Sequence, residues 1–361
     1  MAFNPLEPYN ELPFIPPTEE LESKDILKAT IQAHKALSRL EGALSNLPNP
    51  SILLDSIGLQ EAKVSSEIEN IITTHDELYQ YAVAERSVGN TATKEVLHYK
   101  EALWYGYKQV KAKGVITSNL FIKLVQVIKE NQSGVRNTPG TQIINDKTRE
   151  VIYTPPVGEE IIRTKLKNLE EFLNLNDDGI DPLVKMAVAH YQFEAIHPFG
   201  DGNGRTGRII NILYLVQQGL LSMPVLYLSR YILENRTGYY QLLREVTEDG
   251  NWHRWILYMI HAVEETSKLT LTKIDEIKVA MAMMGEALKK ELPHIYSKDL
   301  VEVLFQRPYS KRQFIEEAGI VKVKTAGTYL AALEKKGFFK SVELGKEKLY
   351  LNTVFLDILK K

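Results

Sequence analysis

The chain has 361 residues, 44% apolar and 25% charged, with a formal net charge of −2 and no cysteine. This is the composition of an ordinary soluble chain with room for two or three domains. The missing cysteines exclude a disulfide scaffold, cysteine-bound zinc, iron–sulfur clusters and a thiol nucleophile. Charge is uneven: Pro293 to the end carries 13 Lys+Arg against 8 Asp+Glu and the rest 31 against 38, so a small basic domain follows a larger acidic one.

Residues 1–20 read as an extended arm broken by Pro5, Pro8, Pro13, Pro16 and Pro17. The arm lacks the basic start and apolar run of a signal peptide, and the most apolar stretch, near Ile209 to Leu228, is too interrupted for a membrane span. A cytoplasmic protein without membrane contact is expected. Leu27, Ile31, Leu37, Leu40 and Leu44 recur at helical spacing over Lys24–Leu44, and Leu47-Pro48-Asn49-Pro50 ends that helix. Further helices are predicted over Leu59–Ile72, Thr93–Val110 and Ser118–Lys129. Thr141–Tyr153, TQIINDKTREVIY, has two β-branched runs around Asn145-Asp146-Lys147 and predicts a hairpin.

Helices then dominate to Leu292. Asp181-Pro182 is an N-cap with proline at the first helical position, and Leu183, Met186, Ala187, His190 and Phe193 share one face. Ile209, Ile212, Leu213 and Val216 continue a helix that Gly219 ends. From His294, three helical segments and two β-like runs around Gly345 follow the order of a winged helix-turn-helix. Lysines 322, 324, 335, 336, 340, 346 and 348 surround its recognition helix and wing, which suits either DNA backbone contact or protein docking.

Between the helices lies HPFGDGNGRTGR, His197 to Arg208. Its GxGxxG is not a dinucleotide fingerprint, because no strand precedes it and no βαβ pattern surrounds it. Gly200, Gly202 and Gly204 permit positive φ angles and converging N–H groups at a helix start, which is an anion site. Arg205 and Arg208, three apart on the first turn, can add bidentate contacts, so a polyphosphate is expected. Asp201 either caps the helix or anchors Mg²⁺ beside the phosphates. His197 is either packing or a general base.

His197 to Arg208 matches, at every fixed position, the signature HPFx[DE]GNGRxxR, and on it the chain resembles the Fic-domain family over roughly residues 95–265. The resemblance implies a mainly α fold: a Fic-type helical core with a β-hairpin flap, an N-terminal helical extension and the winged helix-turn-helix. The expected division is an arm and extension over 1–94, the core over 95–265, a connecting helix over 266–292 and the winged helix over 293–361. It further implies a protein adenylyltransferase that moves AMP from Mg-ATP to a Ser, Thr or Tyr hydroxyl of a target protein or of itself. His197 would be the base and Asp201 the Mg²⁺ ligand. Gly200, Gly202, Asn203, Gly204, Arg205 and Arg208 would hold the phosphates, and Ile143, Ile144, Val151, Ile152 and Tyr153 would form the target-aligning flap. Asn235 and Tyr239 are candidates for the base pocket, with core packing as the alternative for the tyrosine.

Upstream, Ala62, Ser65, Ile68, Glu69 and Ile72 form one stripe that puts a carboxylate on an apolar face. Either Glu69 sits at the stripe's exposed edge, or Ser65-Ser66-Glu67-Ile68-Glu69-Asn70 is the family's inhibitory motif [ST]xxxE[GN]. By that resemblance Ser65, Glu69 and Asn70 make an inhibitory element in which Glu69 pairs with Arg208, and Glu69 could also help water remove AMP. The alternative function is a nucleotide-sensing regulator that binds DNA through the winged helix, and either reading admits a homodimer.

Overall fold

A computed structural model of the chain describes residues 3–45, 51–83, 90–145, 148–344 and 347–361. The predicted breaker Leu47-Pro48-Asn49-Pro50, most of the hairpin turn (Asp146, Lys147) and the wing turn (Gly345, Lys346) lie outside the described residues. The N-terminal part holds α1 (Lys24–Ser45), α2 (Ser51–Ile68), α3 (His75–Val83), α4 (Thr91–Lys113) and α5 (Ser118–Lys129). A hairpin of β1 (Ile143–Ile144) and β2 (Val151–Tyr153) precedes α6 (Glu159–Asn174), α7 (Pro182–Ile196) and α8 (Asn203–Gln217). Then come α9 (Leu228–Glu234), α10 (Arg236–Asp249) and α11 (Trp252–Glu291). The C-terminal part is α12 (Lys298–Leu304), β3 (Tyr309–Ser310), α13 (Arg312–Glu317), α14 (Val323–Lys335), β4 (Lys340–Leu344), β5 (Glu347–Leu351) and α15 (Thr353–Lys360).

α7 is the central helix. Asp181 caps it by accepting from the Leu183 N–H at 2.8 Å, Pro182 opens it, and all its residues except Pro182 and Glu194 are buried. A helix buried on every side can only sit inside a bundle, and α6, α8 and α11 enclose it. Trp255 of α11 fixes the far side: its indole N–H donates to the Ala187 carbonyl at 2.8 Å, and its ring stacks on His190 and Tyr258.

α2 departs from the predicted Leu59–Ile72. It ends at Ile68 because Asn70 takes a left-handed φ of 60°, with the Asn70 N–H bonded to the Glu67 carbonyl and the Ile71 N–H to the Ser66 carbonyl, both at 3.0 Å. That is a Schellman closure, and it explains why only Gly or Asn suits the last position of the [ST]xxxE[GN] pattern. Ile72, beyond the closure, is 69% exposed and does not belong to the buried stripe.

α11 is a single helix of 40 residues that runs unbroken through the expected boundary at 265/266. The C-terminal part is a winged helix-turn-helix with a β3-β5-β4 antiparallel sheet, to which the structure adds β3 and α15. It packs on the N-terminal helices: Gln60 of α2 and Lys273 of α11 both donate to the Leu359 carbonyl, and the Tyr309 hydroxyl donates to Asp76 at 3.0 Å. No described helix is long and apolar enough to cross a membrane.

Trp255 is fully buried, so Trp255→Ala should lower unfolding free energy by about 3–5 kcal/mol in urea titrations. A loss below about 1 kcal/mol would contradict its role in holding α11 on α7.

Candidate active site

The α7–α8 connection carries the HPF motif, and its shape comes from three locks. His197 ends α7 in the left-handed region, φ 48°, its N–H returning to the Phe193 carbonyl. Asn203 clamps the loop across its base, accepting from the Phe199 N–H at 2.8 Å and donating to the Phe199 carbonyl at 2.7 Å. Arg136, on the segment after α5, donates through Nε to the His197 carbonyl at 2.8 Å and through Nη2 to the Pro156 carbonyl. Its own N–H donates to the Pro198 carbonyl at 2.9 Å. One buried guanidinium thus ties the catalytic loop to the base of the flap.

Burial pushes the His197 imidazole down to about 4; the Arg136 charge adds to this and the Glu69 carboxylate opposes it. The imidazole is therefore neutral at pH 7, as a general base must be.

Two predicted glycine roles are revised. Gly202 alone of the three has a positive φ, 84°, as the N-cap of α8. Gly204 lies in the first turn of α8 for a different reason: a Cβ there would stand 2.3 Å from Glu69 Oε1 and 2.9 Å from Arg208 Nη1. Gly200 has open space around it and no positive φ.

Arg208 faces α2. Its Nε donates to Ser65 Oγ, and its Nη2 to the Ser65 carbonyl and to Glu69 Oε1, each at 2.8 Å. Burial opposes its charge, and Glu69, with Tyr239 and Glu194 beyond it, more than offsets this and raises the guanidinium above its ordinary value. Glu61, one turn before Ser65 on the same face, anchors α2: it accepts from the Tyr99 hydroxyl of α4 and the Ser229 N–H of α9, both at 3.0 Å. Burial raises the Glu61 carboxyl above its ordinary value, against its hydrogen bonds with Ser229 and Tyr99.

Asp201 and Arg205 form a separate cluster with Lys129 and Glu95. Lys129 Nζ lies 2.6 Å from Asp201 and 3.3 Å from Glu95, and Arg205 lies 2.8 Å from Glu95. Burial would raise the Asp201 carboxyl, but Lys129 and Arg205 hold it below the usual carboxylate range. Among the described residues no group of three or more His, Asp or Glu could hold a metal by itself. Asp201, largely exposed, can supply one ligand of a Mg²⁺ completed by phosphate and water, which is a common magnesium arrangement.

A cavity of about 210 Å³ opens beside His197. It is lined by Gly204 and Arg208 of α8 with Glu69, by Tyr239, Tyr240 and Leu243 of α10, and by Ile143, Ile152 and Tyr153 of the flap. Ile144 and Val151 face each other in the hairpin register outside the lining. Tyr239 is fully buried, its hydroxyl 2.9 Å from His190 Nε2. Asn235 is not brought to the site: it is exposed at the α9–α10 junction and donates to the Tyr231 carbonyl. Asn203 and Arg205 likewise shape the loop and do not line the cavity.

Sequence reasoning missed Arg136, Glu61, Lys129 and Glu194. It also missed Phe3, which stacks on Tyr153 at 5.8 Å and lines the cavity. The arm that carries Phe3 pairs with the segment after β2 through Tyr9 N–H to the Thr154 carbonyl. The one signal for the arm was its run of prolines.

The helical core and its HPF loop define a candidate enzyme site, and comparison with known proteins identifies its kind. The profile of the Fic/DOC family N-terminal region matches residues 27–108, that of the Fic/DOC family residues 116–215, and that of the protein adenylyltransferase SoFic-like C-terminal domain residues 280–355. A probable protein adenylyltransferase of Aquifex aeolicus is 26% identical over 312 residues, 83% of this chain and 87% of that one. The protein adenylyltransferase fic-1 of Caenorhabditis elegans is 35% identical over 109 residues, and the match spans only 19% of that protein. In fold, the chain is similar to a Fic family protein from Desulfovibrio desulfuricans G20, with a TM-score of 0.55, 15% identity, and 91% and 96% of the two chains covered. It is also similar to a fragment of C. elegans Fic-1, with a TM-score of 0.51, 18% identity, and 71% and 73% covered. The chain belongs to the Fic/DOC family, a family of protein adenylyltransferases.

Because Arg136 adds to the depression of the His197 pKa, Arg136→Met should move the His197 NMR titration midpoint upward from about 4. Burial, the larger cause, remains, so the midpoint should stay below the ordinary value of about 6.5. An unchanged midpoint would show that Arg136 does not act on the imidazole.

Proposed function

We propose that this chain transfers AMP from Mg-ATP to a Ser, Thr or Tyr hydroxyl of a target protein or of itself, and that Glu69 holds it in an inhibited state. The observation that carries this is the neutral His197 lining one cavity together with Arg208, Glu69 and Tyr239. In this reading the triphosphate lies against the N-terminus of α8, where free N–H groups and Arg208 favour negative charge. The base lies between the α10 tyrosines and the flap.

His197 takes the proton of the target hydroxyl as that oxygen bonds to the α-phosphorus; the bond to the β-phosphate oxygen breaks and pyrophosphate leaves. Asp201 would hold Mg²⁺, which when bound neutralises phosphate charge. To do so Asp201 must exchange its contact with Lys129 for the metal. Arg205, steadied by Glu95, keeps a positive charge beside that carboxylate. The outer edge of β1 has no strand partner among the described residues and suits a target segment added as a third strand.

Inhibition follows from competition for one guanidinium. With Ser65 and Glu69 on Arg208, the γ-phosphate lacks its cation and the α-phosphorus is not turned toward His197. Glu69 lines the same cavity, so it is also placed to serve a water that removes AMP.

Glu69→Gly should raise AMP incorporation, read by intact mass with Mg-ATP, by at least about tenfold, equivalent to about 1.4 kcal/mol. His197→Ala in that background should abolish it. Equal activity of wild type and Glu69→Gly would remove the inhibitory role, and activity surviving His197→Ala would remove the base.

A further inference from the structure

One carboxylate in the cavity has no part in the scheme above. Glu194 lies in the last turn of α7 and lines the cavity. Its Oε1 is shielded from solvent yet has no hydrogen-bond partner. Space for it is made by Gly207, where a Cβ would stand 2.6 Å from that oxygen. Burial pushes the carboxyl up to about 7, with Arg208 pulling it down and Glu69 pushing it up. An unpartnered buried carboxylate oxygen is costly, and here it faces a binding cavity.

Its place along the cavity says what it faces. Tyr191 and Glu194 of α7 and His197, which ends it, follow one another at three-residue spacing and all line the cavity. Six residues of helix span about 9 Å, comparable to the reach from an α-phosphate across a ribose to a base. His197 marks the phosphate end. Tyr191, whose hydroxyl lies 2.9 Å from Thr247 of α10, lines the cavity toward α10. Glu194 is midway, where the sugar must lie.

We infer that Glu194 binds the ribose, its carboxylate accepting hydrogen bonds from the 2′- and 3′-hydroxyls, and so selects ribonucleotides. This rests on the nucleotide reading of the same cavity. A vicinal diol offers two O–H donors to a group that can only accept when ionised, and a carboxylate meets a ribose 2′-hydroxyl in the same way in dinucleotide sites. Arg208 is not a substitute partner, since Ser65 and Glu69 engage it.

The test uses the full chain carrying Glu69→Gly, with and without Glu194→Ala or Glu194→Gln, and calorimetric binding of ATP, 2′-deoxy-ATP and inosine triphosphate. With Glu194 present, ATP should bind about tenfold to a hundredfold more tightly than 2′-deoxy-ATP. Glu194→Ala should weaken ATP by more than it weakens 2′-deoxy-ATP, which loses only its 3′-hydroxyl contact, and so erase the preference. Glu194→Gln, which keeps the shape, should reduce the preference while melting no lower than its parent. Equal binding of ATP and 2′-deoxy-ATP by the parent overturns the ribose role and leaves the nucleotide reading standing. A Glu194→Ala loss shared equally by the two would instead mark Glu194 as a support for Arg208, and a change confined to ATP against inosine triphosphate would mark it as a base reader. Either overturns the inference. No binding of ATP by the parent would overturn the nucleotide reading together with it.

Discussion

A buried guanidinium must have partners, and in this protein the partners of Arg208 decide what the molecule can do. Its neighbours in α2 come from residues more than a hundred positions away, and they satisfy it with two oxygens of Ser65 and one of Glu69. Stripping a buried charge of its partners is strongly unfavourable. On the proposed reading, Glu69 leaves only when another anion, the terminal phosphate, takes its place, and inhibition and substrate binding are alternative ways of meeting one electrostatic requirement.

That requirement explains details outside the ion pair. The Schellman closure at Asn70 stops α2 at Ile68, which leaves Glu69 to turn toward α8. Gly204 lacks the side chain that would collide with Glu69. Glu61 pins the helix to α4 and α9, and Gln60 beside it holds the C-terminal helix α15. The winged helix thus packs directly on the helix that leads into Glu69.

What the sequence made legible was short-range. The motif from His197 to Arg208, the cap at Asp181 and the Ser65-to-Asn70 pattern encode their geometry within one or two turns, so spacing alone located them. The glycines show the limit of such reading: flexibility was expected at three positions, while the fold needs a positive φ at Gly202 and empty space at Gly204. Asn203 and Arg205 look like phosphate ligands from their neighbours in sequence; in the fold a contact within the loop turns one to Phe199 and long-range packing sets the other against Glu95. Arg136 has no local pattern at all; its meaning is three carbonyls brought to it by the flap and the loop. Glu194 was hidden for a similar reason, since only the fold shows that its oxygen has no partner.

Competition of Glu69 with the γ-phosphate for Arg208 is the central proposal, and the most direct measurement is calorimetric binding of ATP and AMP to the wild type and to Glu69→Gly. If the competition is real, losing Glu69 tightens ATP by at least about tenfold, or 1.4 kcal/mol, and leaves AMP, which has no γ-phosphate, unchanged. An equal gain for both nucleotides, or none for either, would contradict it.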